Sequence, residues 1–521
     1  PWDAGSVFCW NSKDLPVTAR LIKIAPAQNT MNDSMIELAF TDEDQNKLVP
    51  VNAGDYKNLF DEPDSLTKTE QFDGHGSYET GTYFDEIYHA RTAFEMIHDL
   101  YCYENTHPPL GKIFISLGIR MFGMNPFGWR FMGTLFGVMM LPVFYLFSKK
   151  MFGKTWLSAC VTTLFAFDFM HFAQTRIATI DVFVTFFIIT MYFFMYWYTK
   201  KSFFDSSLKE TLLPLGLCGI TMGFAWASKW TGIYASAGLC ILFFATMGQR
   251  YREYLYAKKS PNASTDGIVH RDVIQTFWKK TGITLGFCVV FFILIPAVIY
   301  TLSYLGFDDK SGNGLIKQML DNQRNMFNYH SNLDATHPYS SLWYEWPVMK
   351  RPIWFYSGQT AENTYQGISS FGNPLVWWAG IPAFLYILYQ WVIKKDRLGG
   401  FLAIGYLSQY LPWVFIGRVV FIYHYFPSVP FVVLMLGYCF RKVVKKKPGW
   451  IWGVYAYVGL AVCLFILFYP VLSGGDMNPE YVTRWLRWFE DWQLTGGVDS
   501  VDSVFTRILN GMDKLVRIFL H

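Results

Sequence analysis

Asp85 and Glu86 are adjacent carboxylates within Tyr83-Phe84-Asp85-Glu86-Ile87-Tyr88-His89, and His107-Pro108-Pro109-Leu110-Gly111-Lys112 follows. Long apolar runs begin soon afterwards. An acidic pair just outside a bilayer can accept a proton where a lipid-carried substrate meets a water-borne one. Arg130, Gln174, Arg176, Asp181, Lys229, Arg418 and His424 fall at those ends of the apolar runs that alternation places on the side of Asp85. Ionisable groups at that depth are costly and therefore point to function. Gathered around one pocket, several cations and a few carboxylates suit a phosphate leaving group plus a base.

Each of these residues also has a plainer reading. Asp85 and Asp181 would each favour a helix N-terminus. Arg130 and Lys229 would snorkel to headgroups. Pro108-Pro109 would start a helix. Trp343, Trp346, Trp354, Trp377 and Trp378 would form an interfacial aromatic belt. The convergence of independent segments on one face favours the chemical reading.

The elements that must position these groups are apolar helices. The 521 residues are 52% hydrophobic and only 16% charged, too little charge to keep so large an apolar content in solution. Runs long enough to cross ~30 Å of hydrocarbon occur at 128–147, 155–172, 178–198, 212–228, 230–247, 282–304, 372–393, 398–416, 420–439 and 450–472. The expected class is an all-α polytopic membrane protein. Its domains would be a partial external β-domain at 1–80, an external loop with interfacial helices at 81–127, spans at 128–304, an external loop at 305–371, spans at 372–472 and an external tail at 473–521. Two non-spanning helices are expected in the first loop: one carries Ile87, Ala90, Phe94 and Ile97 on one face, and the other runs from Leu110 through Phe122.

Lys149-Lys150, Lys200-Lys201, Arg250 to Lys280, Lys394-Lys395-Arg397 and Arg441 to Lys447 follow alternate spans. Basic loops mark the cytoplasm, so Asp85 and Glu86 are expected outside, in a cell membrane and on its extracellular face. That parity implies a further span before residue 1. No paired, Gly/Pro-broken helices recur in two halves, which disfavours a transporter. Six of the eight cysteines read as small hydrophobes, and Cys9 with Cys102 is a possible disulfide. The tail has an amphipathic stretch (Val504, Ile508, Leu509, Met512, Leu515, Ile518) suited to a surface.

With these motifs in place, the chain resembles the protein O-mannosyltransferases, glycosyltransferase family 39. The resemblance is carried in order by Asp85-Glu86, by His107 to Lys112, by Arg130, by Gln174-Thr175-Arg176-Ile177-Ala178-Thr179-Ile180-Asp181, by Ala227-Ser228-Lys229-Trp230-Thr231-Gly232, by His337-Pro338-Tyr339-Ser340-Ser341 with Trp343, Trp346 and Pro347, and by Tyr423-His424-Tyr425-Phe426-Pro427. It implies a GT-C fold of eleven spans. Eukaryotic members carry a β-trefoil in the late external loop, and 305–371 is too short for one. A bacterial-type member is therefore implied, with a polyprenyl-phosphate-mannose donor and Ser/Thr hydroxyls of secreted or membrane proteins as acceptors. No nucleic acid is expected as a partner. The β-stretches within 1–80 resemble part of a discoidin-like sandwich and depart from the minimal family pattern.

On this reading Asp85 is the base and Glu86 orients the acceptor or a neighbouring cation. Arg130 is the first choice for the leaving phosphate, with Arg176, Lys229, Arg418 and His424 beside it. His107, Lys112, Asp181, His337, Tyr339 and Trp343 complete the expected substrate-binding set. Asp85, Glu86, Asp181 and external histidines could hold a divalent cation, but the surplus of positive charge opposes this, and the resemblance implies no metal and no other cofactor. The nearest alternative is another GT-C transferase with a different sugar or a lipid acceptor.

Overall fold

The structure, a computed structural model, describes residues 77–496 apart from 205, 266–267 and 308–310, together with 40–41, 47–48, 503–504 and 506. Within 1–80 it pairs only Phe40–Thr41 with Lys47–Leu48, antiparallel. The remainder of the expected discoidin-like domain, Cys9 and most of the amphipathic tail lie outside the described residues.

The described residues are mostly helical. Helix α1 (Glu86–Ile97) and α2 (Leu110–Phe122) are the two short helices of the first loop, and α3 (Pro126–Phe152) is the first long one. Helices α4 (Thr155–Ala166) and α5 (Phe169–Thr175) form a pair bent by 60°. Then come α6 (Asp181–Thr199), α7 (Leu208–Ser228), α8 (Thr231–Lys259), α9 (His270–Val289), α10 (Ile295–Leu302) and α11 (Leu315–Asn332). After a hairpin of Ile353–Ala361 and Thr364–Ser370 follow α12 (Pro374–Val392), α13 (Arg397–Tyr410), α14 (Val429–Lys446) and α15 (Ile451–Ser473).

Eight helices among the described residues are long and apolar enough to cross a membrane, or nine if the bent pair is one span. Of the ten runs expected, 398–416 falls short because its helix, α13, stops after 14 residues and continues as a 3₁₀ segment, Leu411–Phe415. Proline at 412 accounts for the change: it lacks the amide and crowds the preceding turn. Helix α6 packs against α3, α7 and α8 and is buried along most of its length. It carries Phe and Tyr at many positions, and a helix apolar on all sides is stable only when surrounded.

Two of the five tryptophans expected in an interfacial belt are instead interior. Trp346 and Trp377 are fully buried. The Trp377 indole donates to Asp168 at 3.0 Å and the Trp346 indole to the Ser341 carbonyl at 3.1 Å. A buried indole needs such a partner; Trp377 ties α12 to the bend between α4 and α5, and Trp346 closes a turn within the loop.

Candidate active site

The fold gathers the candidate residues at one end. Arg130 opens α3 and Lys149-Lys150 close it; Asp181 opens α6 and Lys200-Lys201 follow it; Lys229 caps α7 at the end where α8 begins. The acidic pair therefore lies at the end opposite these basic clusters.

Asp85 immediately precedes α1. Phe84 before it adopts φ 52°, a left-handed conformation that costs a residue with a Cβ about 1–2 kcal/mol. The Phe84 ring is anchored 4.5 Å from Phe355 and 6.0 Å from Tyr423. The Asp85 carboxylate accepts no hydrogen bond from the helix amides, so capping does not account for it. Burial pushes it up to about 7. The Lys229 ammonium opposes that rise, the charges of Asp181 and Glu104 add to it, and the Tyr423 hydroxyl opposes it. A base near neutrality is what proton removal from an alcohol needs.

Glu86 is placed quite differently. It is fully buried and accepts from Arg130 Nε and Nη2 at 2.8 Å each, from Ala178 N at 2.9 Å and from Tyr83 N at 3.2 Å. Arg130 also donates to the carbonyls of Tyr78 (2.6 Å) and Gly81 (2.9 Å). Four of its five donors are used, so Arg130 is not placed as a phosphate ligand. It locks the acidic loop to α3. Arg176 likewise donates to the carbonyls of Leu472 (3.0 Å) and Ser473 (3.1 Å), capping the end of α15. Lys112 is fully buried, paired with the Glu104 carboxylate, and donates to the carbonyls of Glu104 (2.7 Å) and His107 (3.1 Å). All three of its protons are committed. Gly111 beside it is required by space, since a Cβ there would sit 2.6 Å from Ile180.

Asp181 and Lys229 form a bidentate pair at 2.8 and 2.9 Å. Asp181 therefore neither caps α6 nor stands alone, and Lys229 does not snorkel. Arg418 is the exception among the cations: half-buried, it has no hydrogen bond or ion pair among the described residues. Its charge and that of Lys229 both act on His330, so both face one space. Arg418 lines a cavity of ≈ 530 Å³ with His337, Ser341, Glu345 and Val420. Tyr339 packs 5.9 Å from Trp354. Trp343 packs edge-to-face on Tyr410 (5.4 Å) and does not line the cavity. His424 is wedged between Trp346 and Trp413 and bonded to Phe421 N (3.1 Å), so it holds a turn.

Glu104 is the residue that spacing did not reveal. It accepts from Thr106 N at 2.9 Å, bonds His107 Nδ1 at 3.0 Å, and pairs with Lys112. His89 Nδ1 lies 4.0 Å away. Burial pushes His89 down to about 3, His330 to about 4, and also lowers His107. All three are neutral imidazoles at neutral pH, so His107 brings no positive charge to a phosphate. Among the described residues no group of three or more His, Cys, Asp or Glu side chains is arranged to hold a metal ion.

Residues 121–307 match the family described as dolichyl-phosphate-mannose-protein mannosyltransferase, and residues 315–492 match the C-terminal four-span region of protein O-mannosyltransferase. The chain is 25% identical over 470 residues to a polyprenol-phosphate-mannose–protein mannosyltransferase of Mycolicibacterium smegmatis, covering 79% of this chain and 87% of the relative. It is 23% identical over 442 residues to the protein of the same name in Corynebacterium glutamicum, covering 74% and 81%. In solved structures it resembles the Saccharomyces cerevisiae Pmt1–Pmt2 complex bound to the sugar donor, with a TM-score of 0.63, 13% identity, and 82% of this chain and 91% of that one covered. That likeness shows the fold, a helical polytopic GT-C architecture.

Proposed function

The chain belongs to the protein O-mannosyltransferase family of glycosyltransferases, and on that premise we propose that it moves mannose from a polyprenyl phosphate to Ser or Thr hydroxyls of proteins at the non-cytoplasmic face of the membrane. The observation that carries this reading is a near-neutral carboxylate, Asp85, facing one paired cation, Lys229, with the charges of Asp85 and of the uncommitted Arg418 both reaching Tyr423. The acceptor oxygen attacks C1 of the sugar as the C1–O bond to phosphate breaks on the opposite face, inverting the centre. The hydroxyl proton passes to Asp85, and the electron pair leaves with the lipid phosphate. Arg418 and Lys229 stabilise the charge that builds on that phosphate. Glu86 and Arg130 hold the loop that presents Asp85. No metal takes part. The basic clusters at the far end of α3 and α6 support placing the site outside.

The test is a proteoliposome assay with polyprenyl-phosphate mannose and a Ser/Thr peptide. Asp85→Asn is expected to lower turnover by roughly 10²–10⁴-fold. Undiminished turnover refutes the base, and absence of transfer by the wild type to any Ser/Thr acceptor refutes the reaction.

A further inference from the structure

Helix α11 carries apolar side chains on two sides. Its inner side mixes buried Met326 with Gln318, which donates to the Phe307 carbonyl, and Asn322, which donates to the Tyr304 hydroxyl at 3.0 Å. Its outward side carries Ile316, Leu320 and Phe327, which are 65%, 57% and 63% exposed. These positions fall at i, i+4 and i+11, one stripe of a helix. A helix that faces only water leaves no such apolar stripe exposed.

The stripe does not stand alone. Leu302 and Leu305, at the end of the span His270–Gly306, are 52% and 70% exposed. That span is the least internally covered of the eight, with 11% of its apolar window buried, so its surface is the one the bilayer must cover. The α11 stripe continues that surface beyond the span. Lys317 and Arg324 are exposed beside it, as required of cations that reach lipid headgroups from an interfacial helix. On the inner side Leu315 and Met319 pack with Met96 of α1, and His330 near the end of α11 bonds the Thr106 carbonyl at 2.9 Å. The helix thus spans from the bilayer-facing surface to the wall of the site.

We propose that α11 lies in the headgroup–acyl boundary of the leaflet at the site end, with Ile316, Leu320 and Phe327 inserted among lipid chains. This seat is a property of the helix itself and stands or falls apart from the transfer reaction.

Two measurements on the full chain in phosphatidylcholine/phosphatidylglycerol liposomes test it. Hydroxyl-radical footprinting of the unaltered protein reads Phe327 directly: protection in liposomes is expected, and oxidation in keeping with its open position overturns the proposal. In a background with the native cysteines replaced, Leu320→Cys and Phe327→Cys carry an environment-sensitive fluorophore, with Asn325→Cys on the same helix as control. Acyl-chain spin labels are expected to quench positions 320 and 327 about tenfold more than 325, given insertion of an apolar face 5–10 Å into the boundary. Equal quenching of all three by aqueous iodide overturns the proposal. So does spontaneous crosslinking of Phe327→Cys between two chains, which would make the stripe a contact between copies.

Discussion

If Asp85 must be ionised to accept the acceptor's proton, kcat/KM should climb with pH through an acid limb near 7. Burial is the leading reason the carboxyl titrates so high, and the facing groups are Lys229, Asp181, Glu104 and Tyr423. With a midpoint near 7, about one molecule in eleven is ionised at pH 6 and about ten in eleven at pH 8, so the rate should differ by about tenfold between them. The sign can be checked by altering the neighbours. Asp181→Asn removes a like charge and frees Lys229, and both effects favour the ionised base, so the limb should move to lower pH. Lys229→Met removes the opposing cation and should move it to higher pH. The kcat limb should lie above the kcat/KM limb, because the donor phosphate brings a further negative charge beside Asp85. The assay is initial-rate transfer to a Ser/Thr peptide in buffers of constant ionic strength from pH 5.5 to 8.5. A flat wild-type profile, or an Asp181→Asn limb that moves alkaline, would refute the argument.

Two arginines should behave differently. Arg130→Met leaves Glu86 buried without its partner, so it should destabilise the protein by about 3–5 kcal/mol, seen as loss of the monodisperse peak after heating in detergent, and Glu86→Gln in the same chain should restore part of it. Arg418→Met should keep that peak and lower turnover by about 10²–10³-fold; normal turnover would remove Arg418 from the phosphate site. Glu104→Gln should behave like the Arg130 variant, because Lys112 is then buried unpaired, and Lys112→Met should relieve it. Turnover should survive prolonged treatment with chelator, and a loss reversed by added divalent cation would contradict the metal-free mechanism.

Much of the architecture is legible in the chain because hydrocarbon thickness imposes a single length on the helices. The runs at 128–147 and 178–198 reappear as α3 and α6, and the break at Pro108-Pro109 reappears as the start of α2. The short α13 is marked in the chain by Pro412, but the apolar run 398–416 continues past that proline and hides the break. At the site, residue type and spacing brought Asp85, Glu86, Arg130, Asp181 and Lys229 to one end. They did not say which charges cancel. That depends on side chains from segments 44 and 48 residues apart, Glu86 with Arg130 and Asp181 with Lys229. Glu104 escaped notice for the same reason. Its importance comes from the buried Lys112 eight residues on together with Thr106 and His107, a cluster that spacing alone does not single out.

The pattern of cancelled charges carries the mechanistic argument. A ring of free cations would bind a lipid phosphate tightly before and after reaction alike, and binding both states equally does not accelerate the step. Here Arg130, Arg176 and Lys112 are committed to carbonyls and carboxylates. Lys229 is neutralised by Asp181, and the histidines around Glu104 are neutral. The field that would meet the phosphate in the proposed reaction is therefore weak except at Arg418. That same economy keeps Asp85 basic, since each additional free cation would pull its titration toward the ordinary carboxylate range and weaken it as a base. On the proposed mechanism, removing a proton from an alcohol while tolerating a departing phosphate makes opposing electrostatic demands, and few free cations around a near-neutral aspartate suit both.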